Sequence, residues 1–192
     1  SQNAASDLLR GQRGALVLVS SRSGDILAMV SQPSFDPNQL DQTWSELVQD
    51  PASPLLNRAA QGQYQPGAAL GALLLAAFQE QGEGLPPVPS SLSFPLEVGD
   101  TRLILNCALE PEERTWPGVI AAGCPGPMAT LGEQIGQQTQ AGSEPLLDLF
   151  QRLGFYTTPA INLPAASSTA PDSLPEPQQY NAVGQAELRL SP

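Results

Sequence analysis

The sequence predicts an α/β domain in which an antiparallel sheet is flanked by helices and carries an inserted helical lobe. Three observations support that expectation. Two apolar, β-rich runs, "GALVLVSS" and "ILAMVSQ", are separated only by "SRSGD", the pattern of a hairpin. Several later segments space their large apolar residues three and four apart, the period of one helix face. No internal repeat is visible, and 192 residues suffice for one domain with a real core.

Each element follows in chain order. Residues 1–13, beginning "SQNA", read as a linker or a leftover of expression, and the domain proper as 14–192. Gly14 to Ser21 lacks polar alternation, so this strand is expected to be covered on both faces. Gly24 turns the chain and Ile26 to Gln32 returns as the second strand. "PSFDPN" breaks it with two prolines. Leu40 to Val48 suits a short helix with Leu40, Trp44, Leu47 and Val48 on one side, and Leu55 to Gln61 another helical turn. Pro66-Gly67 punctuates the chain before an Ala/Leu-rich helix, Ala68 to Phe78, which Gly82 and Gly84 end. "LPPVPSS" connects to a ribbon, Phe94 to Val98 and Arg102 to Asn106, around Gly99-Asp100. Thr115 caps a short helix through Ala122. Pro127 to Gln137 carries Met128, Leu131 and Ile135 at helical spacing. Ser143-Glu144-Pro145 opens a further helix, with Leu146, Leu149, Phe150 and Leu153 as its stripe and Gly154 as its stop. Phe155 to Gln179 is rich in Pro, Ser, Thr and Ala and reads as a long surface excursion. Trp44 and Trp116 are expected as core or lobe anchors.

Composition excludes much chemistry. The chain has no histidine, and its eight basic residues are all arginine. Ser-His-Asp, Cys-His and Ser-Lys catalysis, Schiff-base lysines and the phosphate-loop lysine are therefore excluded. Two cysteines without histidine cannot make a four-ligand zinc site, and no D-x-D-x-D-G loop is present for calcium, so no metal and no cofactor is expected. The formal charge of −11 repels phosphate backbones, which argues against nucleic acid. No apolar run approaches the roughly 18 residues of a membrane span.

"GALVLVSSRSGDILAMVSQPSFDPN", followed by "PLLNRAAQGQYQPGAALGALLLAAF", resembles the transpeptidase domain of class B penicillin-binding proteins. That family opens with the same hairpin, "G-x-[IL]-L-A-M-x-S-x-P-S-[FY]-D-P-N", then "N-R-A" and "Y-x-P-G-S-x-x-K". The likeness continues through "VIAAGCPGPMATLGEQIG", "LLDLFQRLGFY" and "NAVGQAELRLSP", so that ordered matches run from Gly14 to Pro192.

The resemblance implies a serine that attacks an acyl-D-Ala peptide or a β-lactam, and a lysine one turn later that takes its proton. It also implies a second serine and an asparagine that relay protons and hold the substrate amide, and a K-T-G strand that grips the substrate carboxylate. Carried over position by position, the nucleophile falls on Ala68, the lysine on Gly71, the second serine on Gly123 and the asparagine on Pro125. No K-T-G segment is present. A single Ser→Ala trap would not also replace the other three, so the pattern reads as natural decay of a retained scaffold. The helix's positive end at Ala68 leaves two options, a weak anion pocket or a stretch, Ala68 to Phe78, that is now simply core.

The expected function is therefore a catalytically inactive domain that binds or scaffolds in the cell wall, outside the cytoplasm, within a longer and membrane-anchored protein. Its partners would be peptidoglycan stem peptides or cell-wall and divisome proteins. One rival is the front part of a divergent D,D-transpeptidase. The other is an unconventional acyl-transfer hydrolase using carboxylates such as Glu110, Glu112 and Glu113, or another serine such as Ser34; a solvated loop is the plainer reading of the three glutamates. Cys107 and Cys124, 17 positions apart, either form a disulfide, which suits an exported protein, or remain two reduced core cysteines. The family topology places further strands beyond Pro192, so the C-terminal strands are expected to be missing here and supplied by later residues or another chain. The opening hairpin is expected to leave an apolar patch beside it.

Overall fold

The computed structural model describes residues 1–80, 82, 84–137, 144–166, 168–175, 177–185 and 188–190. The chain divides into two compact units, with the second inserted in sequence into the first: Ser1–Tyr64, Thr158–Ser167 and Leu190–Pro192, and Gln65–Thr157 with Ser168–Arg189.

In the first unit, helix α1 (Gln2–Leu8) precedes an antiparallel hairpin of β1 (Gly14–Val19) and β2 (Ile26–Gln32), registered Gly14 to Gln32 and Val17 to Met29. Residues 1–13, expected as a linker, contribute to this unit instead. Ala5 is buried with Ala28 and Val30, and Leu9 and Leu16 pack against them. The Gln2 side-chain amide pairs with the Met29 backbone in both directions, at 2.8 and 2.9 Å. Alanine and leucine four apart on a good helix former supply an apolar face that the hairpin can bury. Burial on both faces, expected for the whole first strand, is found only in part: Gly14 to Val17 are half-buried, whereas Leu18, Val19, Ile26 and Leu27 are exposed at the hairpin tip.

Asp36 caps a short 3-10 turn by accepting from the Asn38 N–H, and helix α2 (Leu40–Gln49) follows. Its apolar side was expected to anchor on the core, yet no residue of α2 is buried and Trp44 is 54% exposed. Leu55 to Gln61 forms consecutive turns rather than a helix, with one five-residue turn closed by Gln61 N–H on the Asn57 carbonyl. The buried Arg58 explains the choice, since its guanidinium donates to the Ser53 and Ala52 carbonyls and holds the chain in a loop.

The second unit holds the helical core. A 3-10 turn (Gly67–Ala69) leads into α3 (Leu70–Glu80), whose Leu70, Leu74, Ala77 and Phe78 are buried. A second antiparallel hairpin, β3 (Phe94–Val98) and β4 (Thr101–Leu105), is registered Phe94 to Leu105 and Val98 to Thr101. Helix α4 (Trp116–Ala121) starts at Thr115, whose hydroxyl accepts from Gly118 N–H at 3.2 Å. Trp116 is buried as expected, and its indole N–H donates to the Pro86 carbonyl. Helix α5 (Pro125–Gln137) buries Met128, Leu131 and Ile135, the predicted stripe, and α6 (Pro145–Arg152) buries Leu146, Leu147, Leu149 and Phe150. At the end of the predicted surface excursion, and running three residues past it, the chain forms a further short helix, α7 (Gln178–Ala182), packed on α5. Ser143 and the Ser191-Pro192 pair lie outside the described residues.

Candidate functional site

Three of the four positions singled out in the sequence meet in one cavity of about 180 Å³ in the second unit. Ala68 stands in the 3-10 turn at the head of α3, and Gly123 and Pro125 form the corner between α4 and α5. Leu105, Asn106 and Ala108, just past β4, supply another wall, and Met128, Val183 and Gln185 complete it. Ala68 is exposed in this space, and the reading of Ala68 to Phe78 as simply core holds only for one face of α3, with Leu70, Gly71, Leu74, Ala77 and Phe78 buried and Ala72, Leu73 and Ala76 exposed.

Four links fix the walls. The sulfurs of Cys107 and Cys124 are bonded, which ties the 105–108 segment to the corner at 123–125. Beside it, Leu109 N–H donates to the Ala122 carbonyl at 3.0 Å. Across the cavity, the Gln65 side-chain amide donates to the Gln185 carbonyl at 3.1 Å, and Ser93 donates to the Asn106 side-chain oxygen at 3.0 Å.

The site's chemistry follows from what it lacks. None of the described residues lining the cavity is ionisable, so no described lining side chain can serve as a general base for a hydroxyl. Gly71, the second residue of α3, is buried, and a Cβ on it would lie 3.1 Å from Ile120 Cγ2 and 3.5 Å from Met128 Cγ. The space a longer side chain would need at this position is therefore held by Ile120. Gly123 adopts φ +65°, a conformation glycine accepts freely and serine resists, and a Cβ there would meet Ala68 Cβ at 3.1 Å and Ala108 Cβ at 3.2 Å. The positions match one another as a packed set of small groups.

The remaining candidates do not join this site. Glu110, Glu112 and Glu113 are exposed and line none of its wall. Ser34 borders a separate cavity of about 340 Å³ in the first unit, with Met29, Ser31, Phe35 and Asn57 among its neighbours and no ionisable side chain in its described lining. Ile120 was not singled out in the sequence. A half-buried isoleucine in a six-residue helix carries no local sign of which neighbour it fills. Val183 and Gln185 were visible within "NAVGQ", but only the fold turns them toward the cavity.

Known proteins share this fold. The model of the penicillin binding protein transpeptidase domain matches residues 14–82. The peptidoglycan D,D-transpeptidase PbpA of Mycolicibacterium smegmatis is 31% identical over 200 aligned positions, covering 94% of this chain and 38% of that protein. The peptidoglycan D,D-transpeptidase MrdA of Escherichia coli is 44% identical over 68 positions, 33% of this chain and 11% of that protein. Among solved structures, penicillin-binding protein A of Mycobacterium tuberculosis, as its ceftriaxone acyl-enzyme complex, superposes with TM-score 0.76 at 26% identity, covering 99% of this chain and 46% of that one. The chain belongs to the transpeptidase-domain family of class B penicillin-binding proteins. It spans under two fifths of the PbpA relative and just under half of the solved chain.

Proposed function

We propose that this domain is a catalytically inactive member of the family, a pseudo-transpeptidase that binds or scaffolds in the peptidoglycan layer outside the cytoplasm. The observation that carries this reading is the cavity itself. The positions that the family resemblance assigns to nucleophile, second serine and asparagine hold Ala68, Gly123 and Pro125, and the proton-acceptor position is Gly71, hemmed by Ile120. Without a hydroxyl at 68 or a base at 71, no acyl-enzyme ester can form there. The matched relatives have the same fold with their enzymatic names, so the retained scaffold points to a ligand of the same setting: a peptidoglycan stem peptide, or a cell-wall or divisome protein. The complete protein would be longer than this chain and membrane-anchored.

The competing reading, a divergent D,D-transpeptidase, is favoured by the names of the relatives. Intact-mass measurement after incubation with a labelled penicillin separates the two. The inactive domain keeps its mass unchanged, and Ala68→Ser alone still fails to label, because an unassisted serine hydroxyl is a poor nucleophile. A stable adduct on any residue of the unaltered chain would overturn the proposal.

A further inference from the structure

We propose that the outer edge of β4 is a docking strand for an extended peptide with an apolar centre and basic ends, which joins the β3–β4 hairpin as a third strand. The inference goes beyond the reading above and stands whether or not the cavity is inert.

The backbone supplies the first argument. Pro95 faces Ile104 in the register and has no N–H to give, so this is a pair that exchanges no ladder bonds. Bonded and unbonded pairs alternate along an antiparallel ribbon, which makes Glu97–Arg102 the other unbonded pair. The N–H and C=O groups of Arg102 and Ile104 therefore point away from β3. Among the described residues no strand pairs with that side. The opposite side of the hairpin is covered: Glu97 N–H donates to the Tyr180 hydroxyl at 2.9 Å, and the Phe94 and Tyr180 rings meet edge to face. Within this hairpin, and among the described residues, β4 keeps its outer edge unpaired, the arrangement that strand-adding peptides use.

Side chains decide what such a peptide would be. Leu103 is 45% exposed and Ile104 54%; they lie on opposite faces of the ribbon and so form a two-sided apolar strip at the edge, which favours an apolar peptide centre. The strip is bracketed by exposed acids, Asp100 at the turn and Glu110, Glu112 and Glu113 beyond its far end. Nearby cations do not neutralise them, since Arg102 pairs with Glu97 at 3.4 Å and the Arg114 guanidinium donates to the Ser90 carbonyl. Basic residues at both ends of the peptide meet this charge. A second copy of the chain fits less well, because each copy carries a formal charge of −11. Leu105 and Asn106, where β4 ends, are also cavity wall, so a peptide continuing past the strand reaches the space around Ala68.

The test uses fluorescence anisotropy with a labelled octapeptide of alternating valine and leucine between paired arginines. Saturable binding is expected, weakening as salt is raised. A glutamate-flanked version should bind at least about tenfold less tightly, as should one N-methylated on alternate amides, which cannot join the edge. Ile104→Pro removes an N–H that points outward and costs no ladder bond, so it should cut affinity by a similar factor while the melting temperature holds. If Ile104→Pro unfolds the hairpin, the N-methylated peptide decides alone. Equal binding of the glutamate-flanked or N-methylated peptide, or no binding of the arginine-flanked one, would overturn the proposal. So would sedimentation showing that a second copy of the chain takes the edge. A penicillin adduct would overturn the inactive reading and leave this one intact.

Discussion

Replacing Gly71 by lysine tests whether Ile120 fills the space beside position 71, where the family resemblance expects a lysine. The buried Gly71 sits in α3, and its Cβ direction meets Ile120 Cγ2 at 3.1 Å, Ile120 Cδ1 at 3.4 Å and Met128 Cγ at 3.5 Å. Helix propensity alone would favour the change by about 0.7 kcal/mol. Against it stand overpacking, about 1–3 kcal/mol, and an ammonium group with no acid in the cavity to receive it, about 1–3 kcal/mol more after its pKa falls. The net expectation for Gly71→Lys is a loss of about 2–4 kcal/mol. At about 2–4 °C per kcal/mol for a chain of this size, that lowers the melting temperature by roughly 5–15 °C. The assay is a urea or thermal melt of four proteins: the parent, Gly71→Lys, Ile120→Ala and the double variant. Because the two side chains compete for one space, the double variant should recover at least about 1 kcal/mol beyond additivity. A Gly71→Lys protein as stable as its parent, or a coupling within about 0.3 kcal/mol of zero, would refute the claim that Ile120 occupies this position.

Other perturbations follow from single features. A peptide map without reductant should recover Cys107 and Cys124 together, and reduction should cost about 3 kcal/mol, several degrees of melting temperature; two freely alkylated thiols in the native protein would refute the bond. Thr115→Ala removes the hydroxyl that accepts from Gly118 N–H and should cost about 1 kcal/mol in a urea melt, with no change in the slope. Burial raises the Tyr156 phenol above its ordinary value, so above about pH 10 the unfolded chain releases this proton first and stability falls with rising pH until the folded phenol also ionises. Tyr156→Phe should flatten that alkaline loss in melts run across the range; an unchanged slope would reject the assignment.

Much of the fold was legible because local signals and tertiary packing agreed. The β1–β2 hairpin follows from two apolar runs around Gly24, and α5 from a stripe that the structure buries as spaced; of the α6 stripe, Leu146, Leu149 and Phe150 are buried, but Leu153, at the C-cap, is 40% exposed. Misreadings arose where a pattern had no partner or a partner had no pattern. The apolar side of α2 has a regular stripe, yet Trp44 stays exposed because no described element covers it. The N-terminal helix was discounted as a leftover, although Ala5 packs against the hairpin. At the site, motif order located Ala68, Gly123 and Pro125, and the cavity brings them together. The role of Ile120 was hidden, because it depends on the direction of one side chain across two helices rather than on any spacing along the chain.

The small residues of the cavity depend on one another. With no lysine at 71, a hydroxyl at 68 would have no proton acceptor, and with φ +65° at Gly123 a second serine would be strained as well as crowded by Ala68 and Ala108. Ile120 and Met128 close on the space above Gly71, which raises the cost of restoring a cation there. A lysine at 71 or a serine at 123 therefore meets a packing or solvation penalty before any chemistry begins. The scaffold around the cavity has no such conflict: the Cys107–Cys124 bond, the Leu109–Ala122 hydrogen bond and the buried face of α3 hold its walls without reference to catalysis. On the function proposed above, such a cavity, shaped but without an ionisable side chain in its described lining, would recognise a ligand without making bonds to it.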